Sequence, residues 1–110
     1  MKVSEIKDML GIECIAGESG LDKEVKCGYA GDLLSVVMSH LPAESIWLTV
    51  LGHVNVIAVA VLCGASCIVI TEGAALSPEA KEKAEQEGIP VLSTEKSSYE
   101  TAKELIKAGI

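Results

Sequence analysis

SIWLTVLGHVNVIAVAVLCGASCIVIT, running from Ser45 to Thr71, contains no Asp, Glu, Lys or Arg. It is too long for one strand. Gly52 and Gly64 divide it into a strand over Ile46–Val50, a helix over Val54–Cys63 and a second strand over Cys67–Ile70. A βαβ unit covered on both faces reads this way, because strands with no solvent side lose the usual alternation of apolar and polar residues. A membrane span does not fit. Gly52, His53, Asn55, Gly64 and Ser66 interrupt the run, and its longest strictly apolar piece, Val56–Cys63, is a core helix too short for a bilayer.

Length and composition agree with this reading. The chain has 110 residues, which suits one domain over residues 1–110 with a core that needs no cross-links. Hydrophobic residues make up 49% and Phe is absent, so Val, Ile, Leu and Ala must build that core. The net charge of −7 and the lack of a basic cluster exclude nucleic acid and anionic membrane surfaces as partners. A small anionic ligand held by backbone amides remains compatible. The N-terminal MKVSEIKDML has no continuous apolar region and no cleavage signal, so the expected location is cytoplasmic.

Outward from the apolar run, Ser4 is placed to cap a first helix ended by Gly11, with Ile6, Met9 and Leu10 on one face. Strands follow at Ile12–Ala16 and Val25–Ala30. Gly31-Asp32 then opens a helix over Leu33–Leu41, with Asp32 as N-cap and Pro42 beyond its end. Ser77-Pro78 starts a helix that reaches about Glu87, supported by a Glu79–Lys83 pair and burying little beyond Ala80 and Ala84. Ile89–Leu92 makes the last strand. Ser97 with Glu100 forms a capping box for a closing helix whose Tyr99, Ala102, Leu105 and Ile106 are expected to face inward. The alternation predicts an α/β fold in three layers: a mainly parallel sheet of about five strands, helices on both faces, right-handed crossovers.

The segments GYAGDLLSVVM (Gly28–Met38), LTVLGHVNVIAVAVL (Leu48–Leu62), CIVITEG (Cys67–Gly73) and EGIPVLST (Glu87–Thr94) resemble the DRTGG domain family, itself similar to the N-terminal domain of HPr kinase/phosphorylase. The glycine turn that names the family is absent; Ile70-Thr71-Glu72-Gly73 stands in its place. The resemblance implies an accessory module, in some proteins set between nucleotide-sensing CBS domains. Some free-standing forms accompany iron hydrogenase subunits and carry hydrogenase-related, iron–sulfur names. It does not imply kinase activity, which belongs to another domain, and no P-loop is present here.

In a parallel sheet, ligands bind beyond the carboxyl ends of the strands, where helix N-termini present unpaired amides. Gly31, Asp32, His53, Asn55, Thr71 and Glu72 fall at such ends, with Ser93-Thr94 after the last strand, and are the candidate ligand-binding residues. Each has a plainer role as a cap or turn residue. His53 in particular can bind a ligand or change charge near neutral pH; otherwise it is a buried histidine satisfied by a backbone carbonyl, the commoner case. His40 suits the negative end of its helix. Cys14, Cys27, Cys63 and Cys67 lack C-x-x-C spacing, so no metal and no cofactor is expected. Cys63 and Cys67 belong to different elements; Cys14 and Cys27 are expected on neighbouring strands.

The helix Leu33–Leu41 is apolar on more than one face. Its surplus suggests a homodimer through this region, unless the N-terminal helix covers it. The reading is therefore of a non-catalytic regulatory module binding a small anionic or nucleotide-like ligand. The alternative is a scaffold or interaction subunit of a redox enzyme such as an iron hydrogenase. No nucleophile–base–orienter set is recognisable from spacing, so no enzyme activity is expected.

Overall fold

The computed structural model describes residues 1–110. In chain order the elements are α1 (Val3–Leu10), β1 (Glu13–Ala16), a 3-10 turn (Glu18–Gly20), β2 (Cys27–Ala30), α2 (Leu34–His40), β3 (Ser45–Thr49), α3 (Val54–Cys63), β4 (Cys67–Ile70), α4 (Pro78–Glu87), β5 (Val91–Ser93) and α5 (Ser98–Lys107). The five strands form one mixed sheet in the order β1-β5-β4-β3-β2. Strands β2 to β5 run parallel, with Ile46 beside Cys67 and Tyr29 beside Trp47. β1 is antiparallel to β5. No crossover helix follows β1, only the 3-10 turn and a loop tied to the N-terminus by a Lys2–Glu24 bridge, so nothing imposes the parallel sense there.

Every residue of β3 and β4 is buried. One face of the sheet gives Trp47, Ile68, Ile70 and Val91 to a core closed by Val37 of α2, Val56, Ile57 and Ala60 of α3, and Ala80 and Ala84 of α4. The other gives Ile46, Leu48, Cys67, Val69 and Leu92 to a core closed by Val3 and Ile6 of α1 and Leu105 of α5. The period-two alternation along each strand splits the apolar run between the two cores. Trp47 is completely buried, and its indole Nε1 donates to the Gly31 carbonyl at 2.9 Å, so its one polar atom is satisfied. No helix is long and apolar enough to cross a membrane.

Ser77 caps α4 through the Ala80 amide at 3.1 Å, with Pro78 at the first helical position, and Ser97 caps α5 through the Glu100 amide at 3.1 Å. α3 occupies Val54–Cys63 as the sequence predicts and ends at Gly64 in the left-handed region. Other expectations change. α1 begins after Lys2, whose amide donates to the Glu5 carboxylate at 2.8 Å, and Ser4 lies inside the helix. α2 is shorter than Leu33–Leu41, and its N-cap is Leu33, because the Asp32 carboxylate is drawn away to β3. Lys83 pairs with Glu87 at 3.3 Å in place of Glu79. On α5 Ala102 and Leu105 face inward as expected, joined by Thr101; Tyr99 and Ile106 are 83% and 69% exposed, so the buried stripe is rotated from the predicted one. Cys14 and Cys27 lie on opposite edge strands. α1 packs on the other face of the sheet from α2 and does not cover its surplus: Leu33, Val36 and Met38 remain exposed.

All four cysteines are free thiols. Burial pushes the Cys67 thiol far above its ordinary value and raises Cys14 to a lesser degree. Thiolate is the reactive form, so Cys67 is expected to resist a thiol-specific reagent in the native protein and to react only on unfolding. The stability gained by keeping it neutral is complete below the unfolded thiol's value of 9.0 and is lost as pH rises above that. Peptide mapping of native and denatured samples after labelling checks the first point; full labelling of Cys67 in native protein contradicts it.

Candidate functional site

The parallel sense of β2 to β5 brings the loops after these strands to one edge of the sheet. From β2 to β5 they are Gly31-Asp32, Val50–His53, Thr71–Leu76 and Thr94–Ser97. Within this edge most candidate residues are engaged in holding the loops together.

Asp32 accepts from the Thr49 hydroxyl at 2.8 Å and from the Val50 amide at 2.9 Å, and Thr49 Oγ1 in turn accepts from the Leu51 amide at 3.2 Å. The carboxylate thus ties the end of β2 to the end of β3. The Gly31 amide donates to the Leu48 carbonyl, and its carbonyl accepts from the Trp47 indole. Thr71 is fully buried; its Oγ1 lies 2.8 Å from Ser98 Oγ and reaches the Thr49 carbonyl at 3.4 Å. Ser98 was missed from the sequence, where only Ser97 stood out as a cap. Its place at the edge follows from β5 running parallel to β4.

The amides of the Thr71-Glu72-Gly73 turn are taken up by neighbouring segments. The amides of Thr71, Glu72, Gly73 and Ala74 donate to the carbonyls of Thr49, Lys96, Thr94 and Thr71. None is left for an anion. Glu72 has a φ of 61°, and its exposed side chain makes no hydrogen bond. Glu95 lies directly beneath Gly73, where an added Cβ would strike its carboxylate. Lys96 does not offset these charges, because it is held by Glu104 at 2.6 Å, a contact that raises its own pKa.

The start of α3 differs. Gly52 is fixed to the loop before α4: its carbonyl accepts from the Ser77 amide at 2.8 Å, and an added Cβ would lie 1.9 Å from the Ala75 carbonyl oxygen, so only glycine fits this approach. His53, the N-cap, is exposed rather than buried, and its side chain makes no cap hydrogen bond. The imidazole therefore has no structural partner, contrary to the commoner reading of a buried histidine. Asn55 is also exposed. The amides of Val54 and Asn55 find no acceptor in the chain, and the first turn of this ten-residue helix holds no acidic residue. Free amides at the positive end of a helix dipole favour an anion. No group of three or more His, Cys, Asp or Glu side chains is arranged to hold a metal ion.

This division sets an expectation for two variants. Asp32→Ala removes two hydrogen bonds to a charged acceptor and is expected to lower stability by about 1–3 kcal/mol. His53→Ala, at an exposed side chain with no partner, is expected to change it by less than about 0.5 kcal/mol. Denaturant unfolding of both checks this; equal effects contradict the assignment of one as structural and the other as free.

The DRTGG domain family matches the chain over residues 5–108. Among solved structures, the CBS and DRTGG domains of the regulatory region of Clostridium perfringens pyrophosphatase, complexed with the activator diadenosine tetraphosphate, superpose with a TM-score of 0.75 at 17% identity. The match covers 97% of this chain and 46% of that one, so the chain spans about half the length of that regulatory region. At this identity the likeness is one of fold. No curated protein sequence matches the chain.

Proposed function

Because the chain belongs to the DRTGG domain family, we propose that residues 1–110 act as a non-catalytic regulatory module that binds a small anionic or nucleotide-like ligand at the start of α3. The observation that carries this reading is the open N-terminus of α3, with two amides lacking acceptors and the side chains of His53 and Asn55 free beside them. In this proposal His53 and Asn55 contact the ligand, Gly31, Asp32 and Thr71 position the loops, and Glu72 stands at the rim. The clostridial pyrophosphatase region, of the same fold, is complexed with a dinucleotide activator, which makes nucleotides the first probes to use.

A second reading is favoured by α2. Leu33 and Val36, one turn apart on the same side of the helix, are 65% and 46% exposed, an apolar pair that suits a contact with another chain. It fits a scaffold or interaction subunit of a larger assembly, a redox enzyme such as an iron hydrogenase included, or a homodimer through Leu33–Leu41.

Thermal unfolding with diadenosine tetraphosphate, AMP and inorganic phosphate separates the two. A ligand at one hundred times its dissociation constant adds about 2.7 kcal/mol of stability. At least one probe is expected to raise the Tm, and His53→Ala and Asn55→Ala are each expected to remove most of the rise. A rise undiminished in both variants moves the site elsewhere. No rise with any probe at millimolar concentration leaves the scaffold reading.

A further inference from the structure

The two edges of the sheet are built differently. At β1 the pairing register shifts between Cys14 and Ala16, a bulge, and the strand opens with the charged Glu13. Bulges and charges are what natural sheets use to keep an edge from pairing with another molecule. At the opposite edge, β2 reads Cys27-Gly28-Tyr29-Ala30, with no charge, no proline and an unbroken register against β3. Gly31 gives its amide to Leu48, so by the two-residue alternation Tyr29 also turns toward β3. The amide and carbonyl groups of Gly28 and Ala30 are left at the open edge.

Both sheet faces beside this edge are apolar and only partly covered. On one, Met38 lies on the α3 side of α2, where its carbonyl accepts from Cys63 Sγ at 3.7 Å. With Val37 directed into the core, helical geometry turns Leu33, Val36 and His40 the other way, toward β2. On the other face, α5 lies over β2 and β3 and leaves a groove of about 170 Å³ lined by Gly28, Ala30, Leu48, Ala102, Ile106 and Ile110, among others. Gly28 and Ala30 carry almost no side chain toward α5, which is why the groove is open. Ala102 and Ile106 line this groove from one stripe of α5, which Tyr99 extends toward the start of the helix.

We infer that a second copy of the chain pairs edge to edge through β2, antiparallel, with Gly28 of one copy opposite Ala30 of the other, joining two five-stranded sheets into one. The inference rests on the proposed self-association through α2 and adds to it the strand edge and the α5 face. Charge selects this occupant. A chain carrying −7 repels its own copy except where the contact is bare of like charge. From Cys27 to His40 the only acidic residue is Asp32, which is bonded to Thr49 and Val50. The two-fold axis of such a pairing also sets α5 antiparallel to its copy, with the Lys107 end facing the Glu100 end; neither Lys103 nor Lys107 has an ion pair within its own chain.

Because α2 and α5 lie on opposite faces of the sheet, only an edge-on dimer touches both. Sedimentation equilibrium of the full chain at tens of micromolar is expected to give twice the 11.5 kDa monomer mass. Val36→Glu and Ile106→Glu, both at exposed positions where a charge leaves the monomer fold intact, are each expected to weaken association at least tenfold. A dimer dissociated by Val36→Glu and unaffected by Ile106→Glu overturns the edge pairing and keeps the α2 contact alone. A wild-type monomer, or a dimer that survives both changes, overturns both.

Discussion

Strands β3 and β4 have no side that meets water, and this constraint orders the rest of the molecule. With Ser45–Thr49 and Cys67–Ile70 buried along their whole length, helices must cover both faces of the sheet. Parallel neighbours joined through α3 then carry the chain back to the same starting edge each time. Polar groups can leave the interior only at the strand ends. At the carboxyl end the buried hydroxyls of Thr49 and Thr71 are satisfied by Asp32 and Ser98, each supplied by a different neighbouring segment. The loops at that end are therefore held by the polar atoms of the sheet itself.

The strong periodicities were legible in the sequence. An uncharged run punctuated by two glycines gave β3, α3 and β4, and Ser77-Pro78 and Ser97 marked the starts of α4 and α5, because caps act locally. What was not legible depended on partners distant in sequence. Asp32 resembles an N-cap until Thr49 and the Val50 amide compete for its carboxylate, seventeen and eighteen residues on. The antiparallel sense of β1 follows from the absence of a crossover helix, which does not dictate direction. Tyr99 and Ile106 have the residue type of a core and lie on the outer stripe of α5, where apolar character alone cannot distinguish burial in the chain from a surface meant for another.

The candidate site was legible as an edge, less so as individual residues. Strand alternation places Gly31, Asp32, His53, Asn55, Thr71 and Glu72 together, but hydrogen bonds divide them. The Thr71-Glu72-Gly73 turn has its amides bonded to Thr49, Lys96 and Thr94 and lies beside Glu95, so it offers negative charge where an anion would need donors. At α3 the balance reverses, with two amides without acceptors and no carboxylate in the first turn. In an acidic chain, a helix start free of acids is the place where fixed dipoles can outweigh the overall charge, because the dipole acts within one turn and the net charge is screened over about 10 Å at ordinary salt.

The geometry of edge pairing bears on how such a module could respond to a ligand. An antiparallel union of two β2 strands points the carboxyl edges of the two copies in opposite directions, so one small molecule cannot bridge both α3 starts. Any coupling between the proposed site and the proposed interface has to pass through each chain separately. Gly31 and Asp32 supply the physical connection: they follow the pairing strand directly, they precede the apolar helix that flanks it, and Asp32 grips the two residues at the end of β3 that lead into Gly52 and His53. A shift of the Val50–His53 loop on ligand binding would pull on the same carboxylate that fixes the end of β2. A ligand that binds both arrangements of that loop equally would leave pairing unchanged, so the device works only through differential affinity.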